Sequence, residues 1–199
     1  MRVGPDRSFE VCFKENNLFY SAEELGKLGI IAGRNVFISR KTSFYLSEPL
    51  IMGDNVRIDD FVVITGSVNI GNYVHISTGA SIFGGAGVEI GNFCGLSPGA
   101  KIFSTSDDFS GDFLISPLAP LKYCNVKREK VLLQDFVQIG TQSVVLPGVT
   151  LEEGVAIGAL SLVKESLNGW KIYAGSPVKM LKDRSKQMKQ LSCNLMEEK

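Results

Sequence analysis

The chain has 199 residues, enough for one domain with a sizeable core, and its 21 basic and 21 acidic residues give a formal net charge of zero. This balance argues against a nucleic acid or an anionic membrane as the partner. No apolar run is long enough for a signal peptide or a membrane span. The cysteines are scattered without metal-type spacing, so we expect a reduced, cytoplasmic compartment and no metal: Cys12, Cys94, Cys124 and Cys193.

The N-terminal segment carries one clear signal, a capping box. Ser21 has the residue type of a helix N-cap, and Glu24 follows three positions later. This pattern predicts a short helix that ends near Gly29. We assign residues 1–50 to an N-terminal segment that leads into the first coil of a repeat.

The central part of the chain repeats every six residues. Branched apolar residues recur at this spacing from Met52 to Ile82, from Ile90 to Ile102 and without a slip from Leu133 to Val163. A second small or branched residue lies two positions before each one, and Cys94 is one of these. Neither the helical period of 3.6 nor the strand period of 2 gives a strict six, whereas short strands that turn a corner at every repeat do. The pattern predicts a parallel β-helix over 51–175, with both residues of each pair inside.

Two features interrupt or mark the repeat. The spacing widens to eight between Ile82 and Ile90, and the glycines at 84–87 predict a bulge at a corner. Three similar six-residue segments, 68–73, 88–93 and 131–136, each end in an aromatic residue: Tyr73, Phe93 and Phe136. We expect these aromatic residues to lie on one side of the prism, spaced ~4.8 Å apart as in stacked strands.

Residues 103–130 do not follow the repeat and predict an ordered arm, with several apolar side chains able to dock. After Val163, Trp170 is expected to pack against the last coil or, alternatively, to stack on an adenine. Residues 176–199 predict a C-terminal helix, with Pro177 in its first turn and Leu181, Met188 and Leu195 on one face. This helix would cover the open end of the prism.

The repeats, the ejected loop and the ending Gly175-Ser-Pro177-Val-Lys179-Met-Leu181 together resemble the hexapeptide-repeat acyltransferases. The resemblance covers roughly residues 21–185. It implies an all-β fold, a left-handed parallel β-helix, in a homotrimer whose active sites lie between neighbouring prisms. The capped helix, the bulge and Ser106-Asp107-Asp108 look most like the branch that acts on nucleotide-linked (dTDP-type) deoxyamino sugars. That branch implies N-acyl transfer from acyl-CoA (acetyl-CoA or longer) in surface polysaccharide (O-antigen) biosynthesis.

The chain departs from the family in its histidines. His75 is the only histidine, whereas many family members carry a catalytic histidine near the start of the loop. Metal-dependent relatives need three histidines, so a metal hydrolase is excluded. His75 points outward by its place in the repeat, and it is either an alternative base or a structural residue at a subunit interface.

Acyl transfer to an amine needs a deprotonated amine, hydrogen-bond donors for the thioester carbonyl and alignment of the two. Asp107 and Asp108 lie at the root of the arm. One of them is expected to bind or deprotonate the amine, with a pKa raised by its neighbour, or else they form a turn or cap. One coil of eighteen residues plus the two extra residues of the bulge places the core residue Leu96 above Ile76. Ser97 therefore lies one coil above Ser77. It either contacts the substrate or satisfies corner backbone.

The coenzyme A site is expected along the later coils. Gly140-Thr141 and Gly158-Ala159 occupy corners where small residues let a pantetheine arm lie on the backbone. The resemblance places Lys164 and Lys179 at the phosphates, and the alternative is that both are solvated surface lysines. Two other functions stay open: an O-acetyltransferase with His75 as the base, and a non-catalytic scaffold.

Overall fold

The computed structural model describes residues 18–198, which form a parallel β-solenoid of about seven coils. In chain order the elements are α1 (Ala22–Lys27), β1 (Ile30–Ala32), β2 (Phe37–Ile38), β3 (Ser43–Leu46), β4 (Leu50–Met52), β5 (Arg57–Ile58), β6 (Val63–Ile70), β7 (His75–Ile76), β8 (Ser81–Ile90), β9 (Gly95–Leu96), β10 (Lys101–Phe103), β11 (Thr105–Ser106), a 3₁₀ turn (Leu121–Tyr123), β12 (Lys127–Arg128), β13 (Val131–Leu133), β14 (Gln138–Ile139), β15 (Val144–Val145), β16 (Thr150–Leu151), β17 (Ala156–Ile157), β18 (Leu162–Val163), β19 (Lys171–Ala174), β20 (Lys179–Asp183) and α2 (Gln187–Glu197).

Each coil has three faces. The first face contains β1, β4, β13 and β16 together with residues 68–70 and 88–90. The second face contains β2, β5, β7, β9, β14, β17 and β19, all parallel and in register. The third face contains β3, β10, β15, β18 and the first halves of β6 and β8, which continue around the corner into the first face.

The interior of the prism is filled by the side chains that the six-residue repeat predicts. All twelve predicted inward positions between Val131 and Val163 are buried, including Ser143 and Ser161. Burial of one Leu, Ile or Val side chain stabilises the fold by about 1.5–3 kcal/mol, so a column of them holds successive coils together. Cys94 is buried as predicted, and burial raises the pKa of its thiol to about 12. The prediction of a parallel β-helix is confirmed.

The aromatic side chains predicted to share one side of the prism do stack. The ring centroids of Tyr73 and Phe93 are 4.8 Å apart and those of Phe93 and Phe136 are 5.2 Å apart, with interplanar angles of 6° in both pairs. The spacing matches the separation of hydrogen-bonded strands. Trp170 extends this aromatic stack with a tilted ring, 5.8 Å from Phe136.

The predicted bulge is confirmed at the corner between the third and first faces. Gly66 pairs with Gly84 and Val68 with Val88, so β8 contains two more residues than β6 at this point. Gly66 has a φ of +76°, and a Cβ there would collide with the carbonyl of Gly84. Glycine is therefore needed for both the backbone conformation and the close approach.

The N-terminal capping box is confirmed, but the solenoid begins earlier than predicted. Glu24 Oε2 accepts a hydrogen bond from the Ser21 amide at 2.8 Å, and α1 follows. The first strand begins at Ile30 and pairs with Leu50, which places a full coil before residue 51. The sequence hides this coil because the extra residues at 47–49 break the spacing just as the bulge at 84–87 does.

The prediction of one C-terminal helix over 176–199 is wrong. Pro177 lies in a turn after a cis peptide bond, β20 runs antiparallel to β19, and only Gln187–Glu197 is helical. The edge of the last second-face strand has no further coil to pair with, and β20 supplies the missing hydrogen bonds. The helix lies beside the aromatic stack instead of over the open end, since Met188 and Leu195 line a groove with Phe93.

Residues between β10 and β13 form the predicted arm, which leaves the solenoid through an antiparallel pair. Thr105 pairs with Arg128 at its root, and Phe103 stacks on Phe83 at 4.8 Å. Beyond this root the expected docking does not occur within one chain, because the apolar side chains point into solvent. Those more than half exposed are Phe109, Leu114, Ile115, Leu118 and Leu121.

Candidate active site

Five of the residues proposed from the sequence lie along one corner, where the second face ends and the third begins. The backbone amide of Ser97 donates to the carbonyl of Ile139 at 2.9 Å, and that of Gly140 donates to Ile157 at 2.9 Å. These hydrogen bonds stack Ser97, Gly140 and Gly158 in successive coils, with Thr141 and Ala159 one position further on. We call this column, Ser97 with 140–141 and 158–159, the substrate corner.

The glycines of the substrate corner are required by the packing of the coils. A Cβ on Gly140 would lie 2.6 Å from the amide nitrogen of Ala159, and one on Gly158 would lie 2.9 Å from the Cβ of Ala174. The next coil thus fills the space where a side chain at 140 or 158 would lie, so coil packing alone accounts for both glycines. The outward positions that do face solvent are Thr141 and Ala159, both exposed.

Ser97 is half-buried at this corner and has one side-chain partner among the described residues. Its Oγ accepts a hydrogen bond from Gln138 Nε2 at 3.1 Å. The register also confirms that Ser77 lies one coil below, because Ile76 pairs with Leu96. Sequence reasoning missed Gln138, although its position next to the core residue Ile139 and opposite Gly95 follows from the repeat.

The two acids at the root of the arm have different surroundings. Asp107 is exposed, and its carboxylate makes no hydrogen bond to the part of the chain that the structure describes. Asp108 is tied into the arm, because its Oδ1 accepts from the amide of Ser110 at 2.8 Å and its Oδ2 accepts from Asn125 Nδ2 at 3.0 Å. Hydrogen bonds from Ser110 and Asn125 lower the pKa of Asp108, so a pKa raised by the neighbouring acid is wrong for this residue.

Asp107 and Ser97 lie at opposite edges of the third face within one chain. Ser97 precedes β10, whereas Asp107 follows β11, and only Ser104 separates these two strands. Residues 101–103 pair with 81–83 on the third face, and the amide of Ser104 donates to the carbonyl of Phe83 at the far end of that face. Asp107 therefore lies beyond the edge of the third face that is opposite Ser97.

His75 lies on the second face, one coil below Gly95, and points outward as predicted. Its Nε2 is 2.8 Å from Asp59 Oδ2, and the other oxygen of Asp59 accepts from Arg57 Nε at 2.6 Å. A carboxylate held in this way orients the imidazole. His75 lies two positions before Ser77 in the sequence, and Ser77 lies one coil below Ser97.

The residues expected at the far end of a coenzyme A site lie on the last coils. Lys164 and Lys179 are exposed, and neither forms an ion pair within residues 18–198. Trp170 is buried in the aromatic stack and its Nε1 donates to Glu153 Oε2 at 3.0 Å. This burial confirms the packing role of Trp170. Because the ring is covered by the protein, it is not available to stack on an adenine.

Within residues 18–198 no three histidine, cysteine, aspartate or glutamate side chains are grouped as metal ligands. Over the same residues, no helix is both long and apolar enough to cross a membrane.

The chain was compared with known proteins. No protein-family model matches it. A dTDP-4-amino-4,6-dideoxy-D-glucose acyltransferase of Escherichia coli is 40% identical over 162 residues, which cover 80% of this chain and 84% of that protein. AntD, an N-acyltransferase from Bacillus cereus solved with dTDP and 3-hydroxybutyryl-CoA, is 44% identical with a TM-score of 0.87. The match covers 92% of this chain and 98% of AntD.

A further solved structure is more distant. NeuO, a polysialic-acid-specific acetyltransferase, is 18% identical with a TM-score of 0.55, over 83% of this chain and 93% of NeuO. At that identity the likeness shows the fold alone.

The solenoid, the ejected arm and the close relatives define the class as a hexapeptide-repeat, acyl-CoA-dependent acyltransferase. Within that class the chain belongs to the family of the nucleotide-linked amino-sugar N-acyltransferases, alongside AntD.

Proposed function

We propose that the chain transfers an acyl group from acyl-CoA to the 4-amino group of dTDP-4-amino-4,6-dideoxyglucose or a close dTDP-linked amino sugar. The observation that carries this proposal is the 42% identity, over 92% of the chain, to AntD solved with that nucleotide sugar and coenzyme A. The substrate corner supports it with a hydroxyl and exposed small side chains on successive coils, and two exposed lysines, Lys164 and Lys179, follow further along the chain.

Ser97 and Asp107 are the pair that we assign to the chemistry. Structures of AntD exist with one serine or one aspartate substituted, and their positions in that chain are ten apart. Ser97 and Asp107 are also ten apart, since 107 minus 97 is 10, and no other serine in this sequence has an aspartate ten residues later. The spacing favours Asp107 over Asp108, and it agrees with the engagement of Asp108 in the arm.

The proposed reaction needs one base and one hydrogen-bond donor. Asp107 accepts a proton from the sugar ammonium, and the amine lone pair then attacks the carbonyl carbon of the thioester. The hydroxyl of Ser97 donates to the carbonyl oxygen as negative charge develops there. The carbon–sulfur bond breaks, coenzyme A leaves as a thiolate, and the second proton that the nitrogen loses protonates this thiolate, so that the products are an amide and coenzyme A.

The acyl donor is proposed to lie along the later coils of the substrate corner. The pantetheine arm would contact the exposed positions Thr141 and Ala159, which follow the backbone stack above Ser97. Lys164 and Lys179 are unpaired within the described chain and supply point charges for the phosphates.

The active unit is proposed to be a homotrimer with sites shared between neighbouring chains. Ser97 and Asp107 lie at opposite edges of the third face of one prism, so we infer that a site that uses both takes Ser97 from one chain and Asp107 from the next. The solvent-facing apolar side chains of the arm support this, because Phe109 and Leu118 are each 93% exposed in a single chain. Side chains of this kind are normally covered by a partner.

Mixed trimers test the shared site. Chains that carry Ser97→Ala and chains that carry Asp107→Asn are each expected to be inactive. After random reassembly at equal amounts, about a quarter of the sites would have both native residues if the two come from different chains. Recovery of about a quarter of wild-type turnover is expected, and no recovery would place both residues in one chain.

The cellular setting is proposed as the cytoplasm, because acyl-CoA and nucleotide sugars are made and consumed there. The product would enter surface polysaccharide biosynthesis. Free thiols at Cys94, Cys124 and Cys193 agree with a reduced compartment.

A second candidate is O-acyl transfer to a sugar hydroxyl. The observation that favours it is the 2.8 Å contact between His75 and Asp59, since an oriented imidazole is the base that a hydroxyl acceptor requires. His75→Asn distinguishes the two reactions, because it leaves N-acyl transfer largely intact and abolishes O-acyl transfer.

The experiment that tests the proposal is coenzyme A release from acetyl-CoA with a matched pair of dTDP-4,6-dideoxyglucose derivatives. One has an amino group at C4 and the other a hydroxyl group. Turnover with the amino sugar alone is expected. Turnover only with the hydroxyl sugar would replace the proposal by the second candidate.

A further inference from the structure

The feature that leads beyond the proposed function is the side chain of Gln138. It projects outward from β14 on the second face, in the coil above Ser97. Its amide nitrogen donates to the Ser97 hydroxyl oxygen at 3.1 Å, and a second, longer contact of 3.5 Å joins the same nitrogen to the carbonyl of Ile139. The side-chain nitrogen of Gln138 is thus directed toward the substrate corner.

The backbone of the neighbouring coil makes room for this arrangement. Gly95 pairs with Gln138 in the parallel register, and a Cβ at position 95 would collide with the side-chain oxygen of Gln138. The absence of a side chain at Gly95 lets Gln138 lie across the lower coil and reach Ser97. Any other residue at 95 would push the amide away.

A serine hydroxyl has one hydrogen to donate and two lone pairs that accept. Gln138 occupies one lone pair of Ser97 as a donor, so it cannot take the hydroxyl hydrogen. No group within residues 18–198 accepts that hydrogen, so it is available to a bound substrate. A glutamate at 138 would do the opposite, since an ionised carboxylate only accepts and would draw the hydrogen toward itself.

We propose that Gln138 is a positioning residue that keeps the Ser97 hydroxyl oriented as a donor to the thioester carbonyl oxygen, with Gly95 providing the space. The inference rests on the proposed role of Ser97. It assigns no contact between Gln138 and the substrates. The effect of Gln138 therefore appears in the rate of the chemical step and depends on the presence of the Ser97 hydroxyl.

Two substitutions of similar length separate donor orientation from packing. Gln138→Met removes the donor and leaves the hydroxyl free to rotate, so kcat is expected to fall about tenfold. Gln138→Glu captures the hydroxyl hydrogen and is expected to lower kcat about a hundredfold, near the loss of a transition-state donor. KM for acetyl-CoA and for the amino sugar stays within about twofold in both variants.

Gln134→Glu is the matched control, because it adds the same charge to the same coil. Gln134 is exposed, and its side-chain oxygen accepts from the amide of Glu153 at 2.9 Å, a role that glutamate retains. Its kcat is expected to equal that of the wild type. Equal losses of kcat in Gln138→Met and Gln138→Glu would overturn the inference. A packing role alone gives no reason for the glutamate variant to be slower than the methionine variant.

The decisive readout is a double-mutant cycle with Ser97→Ala. Once the hydroxyl is gone, Gln138→Met and Gln138→Glu should lower kcat no further, whereas a structural role would multiply the two losses. Thermal melting of each variant checks folding, and Gln138→Met alone completes the cycle if the glutamate variant does not fold. A slow Ser97→Ala with fully active Gln138 variants overturns this inference alone. A Ser97→Ala enzyme with wild-type kcat overturns the role of Ser97 in the proposed function, and with it this inference.

Discussion

Replacement of each acid at the root of the arm by asparagine separates a reacting carboxylate from a structural one. Asp107→Asn removes the proton acceptor of the proposed reaction. A general base contributes about a hundred- to ten-thousandfold to a rate, which at 1.36 kcal/mol per tenfold corresponds to about 3–5 kcal/mol of transition-state stabilisation. Since Asp107 is exposed and its carboxylate makes no hydrogen bond to the described residues, its substitution should leave the melting temperature unchanged.

Asp108→Asn is expected to lower turnover less, because Asp108 forms hydrogen bonds within the arm and does not take part in the proposed reaction. The asparagine oxygen can still accept from the amide of Ser110, but its amide group would then face the Nδ2 donor of Asn125. The change loses one hydrogen bond, about 0.5–1.5 kcal/mol of arm stability, so turnover should fall no more than about tenfold.

Steady-state coenzyme A release by the two variants, with saturating acetyl-CoA and amino sugar, measures the difference. Asp107→Asn should be slower than Asp108→Asn by at least tenfold. An Asp108→Asn enzyme that is the slower of the two would refute the assignment of Asp107 as the base.

Three other predictions concern stability and assembly. Ile139→Ala should lower the free energy of unfolding by about 2–5 kcal/mol in urea titrations, since this side chain is fully buried between coils; a loss below 1 kcal/mol would contradict the packing. Hydrogen bonds from the amide of Ser21 and from Arg40 lower the pKa of Glu24 to about 2 from 4.5, so its stabilising effect is complete above pH 4.5 and is lost as the pH falls toward 2. Glu24→Gln should therefore be less stable than the wild type at pH 7 and equal to it near pH 2, and a constant difference would argue against this ion pair. Phe109→Ser with Leu118→Ser should shift the light-scattering mass from that of the proposed trimer to that of a monomer, and an unchanged mass would exclude the arm as an assembly element.

The solenoid could be predicted because a short, regular sequence repeat determines which side chains form its core. Each coil places two side chains per face inward, so the burial of Val131 to Val163 follows from counting by six. The spacing of Tyr73, Phe93 and Phe136 follows for the same reason, since strand separation fixes it.

The parts that failed depend on contacts between distant segments. The strand at Lys179–Asp183 forms because β19 has an open edge. All five residues of this strand are exposed, so the sequence shows no alternation of apolar and polar residues that would predict it. Arg184, which sequence reasoning also missed, anchors this tail by donating to the carbonyls of Phe136 and Gly154 at 2.8 and 3.0 Å.

The candidate site was predictable only by position. The repeat places Ser97 and the corner glycines in one column, but the partners of each side chain come from other coils. The link from Gln138 to Ser97 crosses 41 residues of sequence. The separate environments of Asp107 and Asp108 arise from the fold of the arm, which no repeat describes.

The most direct test of N-acyl transfer is a competition in one reaction. Equal amounts of the dTDP-linked 4-amino and 4-hydroxy sugars are incubated with limiting acetyl-CoA, and the products are separated and identified by mass spectrometry. We expect the acetyl group only on the amino sugar, as an amide that resists mild hydroxylamine. An acetyl group found mainly on the hydroxyl sugar, as an ester cleaved by hydroxylamine, would contradict the proposed function.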